Sequence, residues 1–500
     1  MRRCSRTQCR GRAFTLLFVL LMAAGCGGAT GTTGGAVGGV TPTATAAPPP
    51  ATALVTATGL PPTAPAPPAS TNTPLAPTAT APPPTRTPVP PTATPLPVLV
   101  ETRNIVTTKS SSGQPVIIGE IANVGQGEVG ELKVILAVID GAGKTVAVPI
   151  AVIAVESLAP GEKTVWQATV AEKIDVGAIK EVQAQAQATR ASVSLRDRLY
   201  KEVKVEGVSF SSRAGQPPTV WANGRVLNTG TASATVGVWM AAYGADSKLT
   251  HVAADNATRL AQLAPGKEQP FVIELSGSSD APVKYEFWVR ASKRDAAFSA
   301  TIVDLQAQKV QVVRSSGAAP LVVGEFVNPG NADVAGFNVA IAFIDEGGKT
   351  VGVGSGSLAA NLLTPGERTV FKSSFFSGMT DKTAYKDVRV QAQAMVASDA
   401  TKWTSARDLR VEGESIAPTG GVGSYVRVNG QVANKGTQPT QSAVVYIAIY
   451  GADGALLMVE QGFSPAGGQI PAGGSVPFTI NLITLKELPA KYEFFISATR

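Results

Sequence analysis

Four times along the chain, at intervals of about one hundred residues, the sequence writes glycine, polar, apolar, any, asparagine, any, glycine. The copies run from Gly119 to Gly125, Gly224 to Gly230, Gly324 to Gly330 and Gly430 to Gly436. Each is followed by an apolar run, an aspartate in a turn (Asp140, Asp246, Asp345, Asp453) and a Pro/Gly turn (Gly161, Gly266, Gly366, Gly473). A period this long, with its anchors in a fixed order, specifies tandem domains. The copies alternate. Ile139-Asp140 and Pro160-Gly161-Glu162 recur as Ile344-Asp345 and Pro365-Gly366-Glu367, an offset of 205. Tyr243-Gly244-Ala245-Asp246 and Tyr285-Glu286-Phe287 recur as Tyr450-Gly451-Ala452-Asp453 and Tyr492-Glu493-Phe494, an offset of 207. The expected order is therefore A-B-A-B, a duplicated pair: A1 at 99–206, B1 at 207–304, A2 at 305–412 and B2 at 413–500.

From Val98 onward, apolar runs of four to eight residues, rich in Val and Ile, alternate with Gly, Asp, Pro and Ser. That texture predicts strands, and seven or so per hundred residues predicts an all-β chain of antiparallel β-sandwiches. Within the repeated motif, the central apolar residue (Ile121, Val226, Phe326, Val432) should point into a core. Its polar predecessor (Glu120, Arg225, Glu325, Gln431) should lie on a wet face. Asn followed two residues on by Gly suits a turn, because Asn bonds nearby backbone and Gly tolerates positive φ. The aspartates read as hairpin-turn residues, since one or two carboxylates per turn fall short of a calcium site.

The succession of this motif, a strand ending in Asp, and Leu-x-Pro-Gly (Leu158 to Gly161, Leu263 to Gly266, Leu363 to Gly366) resembles the FxLYD domains of bacterial lipoproteins. It is also similar to CARDB-like, adhesion-related modules of the immunoglobulin-like type. The resemblance spans about four hundred residues and implies tandem immunoglobulin-like sandwiches outside the cytoplasm, with no activity attached.

The N-terminus points to the same place. Arg2, Arg3, Arg6, Arg10 and Arg12 precede an apolar run from Phe14 to Met22, too short to span a bilayer and shaped like a secretory signal peptide over residues 1–25. It ends in Ala23-Ala24-Gly25-Cys26, which resembles the lipobox of bacterial lipoproteins and marks Cys26 as the lipidation site; ordinary secretion with cleavage near Gly25 is the alternative. Loss of those five arginines takes the formal charge from +7 to +2, which leaves no cationic excess for nucleic acid. Cys4 and Cys9 leave with the signal, so no disulfide framework or cysteine-based zinc site is expected. Residues 26–98 are a Thr/Pro/Ala-rich stretch that cannot bury enough apolar surface to fold, and is expected to be a disordered stalk.

Chemistry is scarce in what remains. One histidine, His251, cannot build a multi-histidine metal site, and no motif marks a pair of catalytic carboxylates. The expectation is a non-enzymatic protein without cofactor or metal. Binding has one specific feature behind it. If Val238, Met240 and Ala242 face the core of B1, then Trp239 and Tyr243 face outward; Tyr446 and Tyr450 follow in B2, as do Trp288 and Phe495 on the last strands. Glu286 and Arg290 flank Trp288 and favour its exposure. Outward aromatics stack on sugars or anchor a protein partner. Reversed faces, or a neighbouring domain lying over them, are the alternatives. In A1 and A2 the strands Val134–Ile139 and Val339–Ile344 are apolar on both faces, for which packing between domains is the plainest account. The sequence thus predicts a lipid-anchored envelope protein at the cell membrane, a binding or scaffold module for envelope glycan or protein. A motif-free extracytoplasmic hydrolase and a mechanical spacer are the alternatives.

Overall fold

The computed structural model describes residues 99–500 except 111, 214–218, 256–259, 278–281, 315–318, 378, 420–424, 464–468 and 483–488. All of them belong to the second of two units into which the chain divides, Pro90–Arg500. The readings made for the signal segment, for Cys26 and for the stretch up to residue 98 lie outside the described residues.

The protein is all-β, with antiparallel pairing throughout. Its strands fall into four consecutive groups, each around its own apolar core. B1 shows the plan most simply. Its first, second and fifth strands (Val203–Arg213, Thr219–Asn228, Glu268–Ser276) form one sheet, and its third, fourth and sixth (Ala234–Tyr243, Leu249–Ala254, Lys284–Lys293) form the other. B2 repeats this arrangement. A1 differs in its fourth strand, which is broken into short pieces between Thr145 and Leu158, one of which, Val152–Ile153, pairs with the fifth strand instead of the third. A2 departs from the expected open sandwich: its first and sixth strands pair, and so do its fourth and fifth, closing a six-stranded barrel.

In each domain the repeated motif fastens the end of the second strand to the loop that leads into the third and to the segment that leads into the fifth. Asn123, Asn228, Asn328 and Asn434 are buried at the end of the second strand. In A2, Asn328 Nδ2 donates to the carbonyls of Ala332 (2.9 Å) and Leu363 (3.1 Å), while its Oδ1 accepts from the Gly330 amide (3.0 Å). The same three bonds recur around Asn123, Asn228 and Asn434. The Asn main chain is held as well, because its carbonyl accepts from the turn glycine: Gly161, Gly266, Gly366 or Gly473. Those glycines have φ between 70° and 78°, where a side chain would be strained. The opening glycine of the motif has a different task. A Cβ on Gly119, Gly224, Gly324 or Gly430 would overlap the ring of Trp166, Phe271, Phe371 or Phe478. That aromatic stands five residues after the turn glycine in every copy and fills the core against the bare backbone.

Short capped helices close the first three domains: Val193–Arg198, Ala296–Ser299 and Asp399–Thr404, with Ser192, Asp295 and Ser398 as N-caps. The first strands that follow begin at Val203, Ile302 and Leu409, a few residues ahead of the expected boundaries. Among the described residues, no helix is long and apolar enough to cross a membrane.

Candidate functional site

The domains meet in series. The outer face of the first-second-fifth sheet of one domain lies against the third-fourth-sixth sheet of the next, and this holds for A1 on B1, B1 on A2 and A2 on B2. The expectation of a wet face at the motif's polar position therefore fails in three copies of four. Glu120, Arg225 and Glu325 are buried, because the following domain covers them; Gln431, in the last domain, is exposed.

All six aromatics singled out as a binding face point away from their own core, as the alternation indicates. They are nevertheless not an outer surface. Tyr243, Tyr446 and Tyr450 are buried, and Trp239, Trp288 and Phe495 partly so, against Val116, Ile118 and Val165 of A1 or Val323 and Val370 of A2. The physical reason lies in the partner sheets, whose outward residues at these positions are aliphatic and would otherwise face water. Trp288 donates its indole N–H to the Lys163 carbonyl (3.0 Å). Glu286 and Arg290 are accommodated beside it through Lys163 (3.2 Å) and Glu156 (3.3 Å), so their charge does not force the ring into solvent.

At the centre of each A–B contact sits one polar cluster. Glu120 accepts from Lys163 (2.7 Å), Tyr243 (2.8 Å) and Asn104 (2.6 Å). In the second pair, Glu325 accepts from Arg368 (3.1 Å), Tyr450 (2.8 Å) and Lys309 (3.2 Å), and Arg368 reaches on to Glu493 (2.5 Å). Asn104 and Lys309 occupy the bulge of the first strand, both at positive φ (50° and 48°), and this aims the side chain at the carboxylate. Burial alone would raise the Glu120 pKa, but the bonds from Lys163, Tyr243 and Asn104 outweigh it and hold the carboxyl below its ordinary range. Burial and the neighbouring carboxylates push the Tyr243 hydroxyl far up, and Tyr450 likewise, so both remain protonated donors. The B1–A2 contact differs in chemistry: Arg225 donates to the Thr350 hydroxyl (2.9 Å) and forms an ion pair with Glu268 (3.0 Å), and Glu268 in turn holds Arg389 (2.6 Å).

The aspartates are used up in their turns. Asp140 accepts from the amides of Ala142 and Lys144, Asp345 from Lys349, Asp246 from Lys248 and Asp453 from Ala455. Among the described residues no group of three or more metal-ligating side chains converges.

Clefts stand open on more than one side of the A1–B1 contact: one of about 590 Å³ is lined by Glu156, Lys163, Tyr200 and Trp288, and a second lies beside His251. The second has a volume of about 640 Å³, and its walls include Trp239, His251, Lys109, Gln167, Thr169 and Glu274. In the A2–B2 pair, Lys372 stands at the Gln167 position and forms an ion pair with Glu460 across the interface (2.5 Å). Tyr446 replaces Trp239 there. Burial lowers the His251 pKa, partly offset by a bond with the Ser276 backbone, which favours the neutral imidazole. The sequence marked Trp239 but not its polar companions, which come from both domains and have no common spacing. Comparison with protein-family models and with curated proteins finds no match for this chain.

Proposed function

We propose that the chain is a lipid-anchored, extracytoplasmic and non-catalytic scaffold, tethered through Cys26, that binds envelope glycan in a cleft between A1 and B1. The observation that carries this reading is the composition of the cleft beside His251: the indole of Trp239 among amide, hydroxyl and charged groups from Gln167, Thr169, Lys109 and Glu274. Sugars are held in this way, with an aromatic face under the apolar side of the ring and polar groups around its hydroxyls. The cleft volume lies within the usual range for small-ligand sites of about 300–1,000 Å³. The buried clusters around Glu120 and Glu325 support the scaffold half of the reading, because they fix each A domain against its B domain and hold the cleft walls in register.

The test is retention of the full chain on purified envelope glycan, with Gln167→Ala and Glu274→Ala combined as the variant. Both side chains line the cleft without filling a core, so the melt should stay within two degrees or so while retention is lost. Equal retention of variant and parent removes the cleft from the account and leaves the spacer reading. Anchoring is tested separately, by incorporation of labelled fatty acid and its loss in Cys26→Ser.

A further inference from the structure

Two sheet faces at opposite ends of the series have no domain against them among the described residues: the third-fourth-sixth face of A1 and the first-second-fifth face of B2. Their counterparts inside the chain are paired with each other, since B1 seats on A2. Val148 of A1 corresponds to Val353 of A2 by the offset of 205; Val353 is 1% exposed beneath B1, whereas Val148 is 61% exposed and Ile150 beside it 60%. Ile135, Ala137 and Ile139 extend this apolar strip, while Ala340, Ala342 and Ile344 in the same places of A2 are buried.

The contacts that seat B1 on A2 have matching residues on the two free faces. Gln393 of A2 brackets the backbone of Gln262 with two bonds (3.0 and 3.1 Å), and the free faces present Gln187 and Gln469, both exposed. Ser209 donates to the Thr350 carbonyl; Ser415 and Thr145 stand in those places. The charged trio differs as a set. Arg225, Glu268 and Arg389 are replaced by Gln431, Ser475 and Gln183, so all three charges are absent together from both faces. Changing one member alone would leave an unpaired charge in the contact, whereas changing all three leaves polar groups able to bond one another.

We propose that the free A1 face takes the free B2 face of a second copy of this chain, in the manner in which B1 seats on A2. Such a contact is head-to-tail: every copy retains one unused face of each kind, so copies add in line rather than closing as pairs. The B2 face is the more polar of the two, with Arg427, Asn429, Gln431, Thr479 and Asn481 exposed, which suits a surface that also spends time in water.

The test is sedimentation velocity of the full chain in mild detergent over a concentration series. The parent should pass progressively beyond twice its 51.2 kDa mass. Val148→Glu with Gln183→Glu blocks one face, and Asn429→Glu with Thr479→Glu blocks the other; all four side chains are exposed, so neither variant opens a cavity. Each variant alone should need at least tenfold more protein to associate. An equimolar mixture should associate at the parent's concentration and stop at pairs, because only one productive contact remains. A parent that stays monomeric throughout overturns the proposal. So does association of the Asn429/Thr479 variant alone, which would mean that A1 faces pair with each other.

Discussion

Replacing Asn328 by Ala tests the device that ties the end of the second strand of A2 to the segments leading into its third and fifth strands. Its two half-buried bonds, to the Ala332 carbonyl and from the Gly330 amide, should contribute about 1 kcal/mol each, and the buried bond to Leu363 about 1–3 kcal/mol. The Leu363 carbonyl keeps the Val334 amide as a partner, which holds the total near about 3–5 kcal/mol. Hydrogen exchange followed by mass spectrometry suits a multidomain chain better than a single melting point, because it reports each domain separately. At about 1.4 kcal/mol per factor of ten, amides of A2 that exchange by domain opening should speed up about 100-fold to about 4,000-fold. Those of A1 should change little. Asn328→Asp sharpens the test: it keeps the acceptor for Gly330 but loses both donors and sets a carboxylate against two carbonyls, so it should be worse than Ala. Exchange within threefold of the parent for Ala, or an Asp variant milder than Ala, refutes the reasoning.

Three other predictions address the core, the interface and the cleft. Gly324→Ala should destabilise A2 by about 1–3 kcal/mol by forcing the buried Phe371 ring aside, and combining it with Phe371→Leu should recover part of that loss in the same exchange measurement. The folded-state pKa of Glu120 is depressed, so its stabilisation is present above its unfolded value of about 4.3 and is lost as pH falls through the lower folded value. Protection of strands at the A1–B1 contact should therefore decline between about pH 5 and about pH 3, and Glu120→Gln should flatten that decline. His251 is also depressed, so its stabilising effect as a neutral group is complete above its unfolded value of about 6.5 and fades as pH drops below it. A melt recorded from about pH 8 to about pH 5 should lose this slope in His251→Asn, and an unchanged slope would show that His251 is not its source.

The sequence by itself determined the repeat, the strand content and the inward face of each strand, because those depend on local chemistry. A period-two pattern fixes which side chains share a face, and Asn-x-Gly followed by Pro-Gly fixes the turns that Asn123 and its counterparts bond. It also put Trp239, Tyr243, Trp288, Tyr446, Tyr450 and Phe495 outside their own cores. What covers an outward face depends on a second domain, and no property of the strand itself carries that information. Glu120 and Gln431 hold the same place in the motif, yet one is buried and the other exposed, because B1 lies over that face of A1 and no described residue lies over the same face of B2. Val148 and Val353 show the converse, with identical residues at equivalent positions and opposite exposure. The aromatic that lies over each motif glycine was legible in principle, since Trp166, Phe271, Phe371 and Phe478 keep one spacing from the turn; the reason for that spacing is a contact between neighbouring strands, and only the fold displays it.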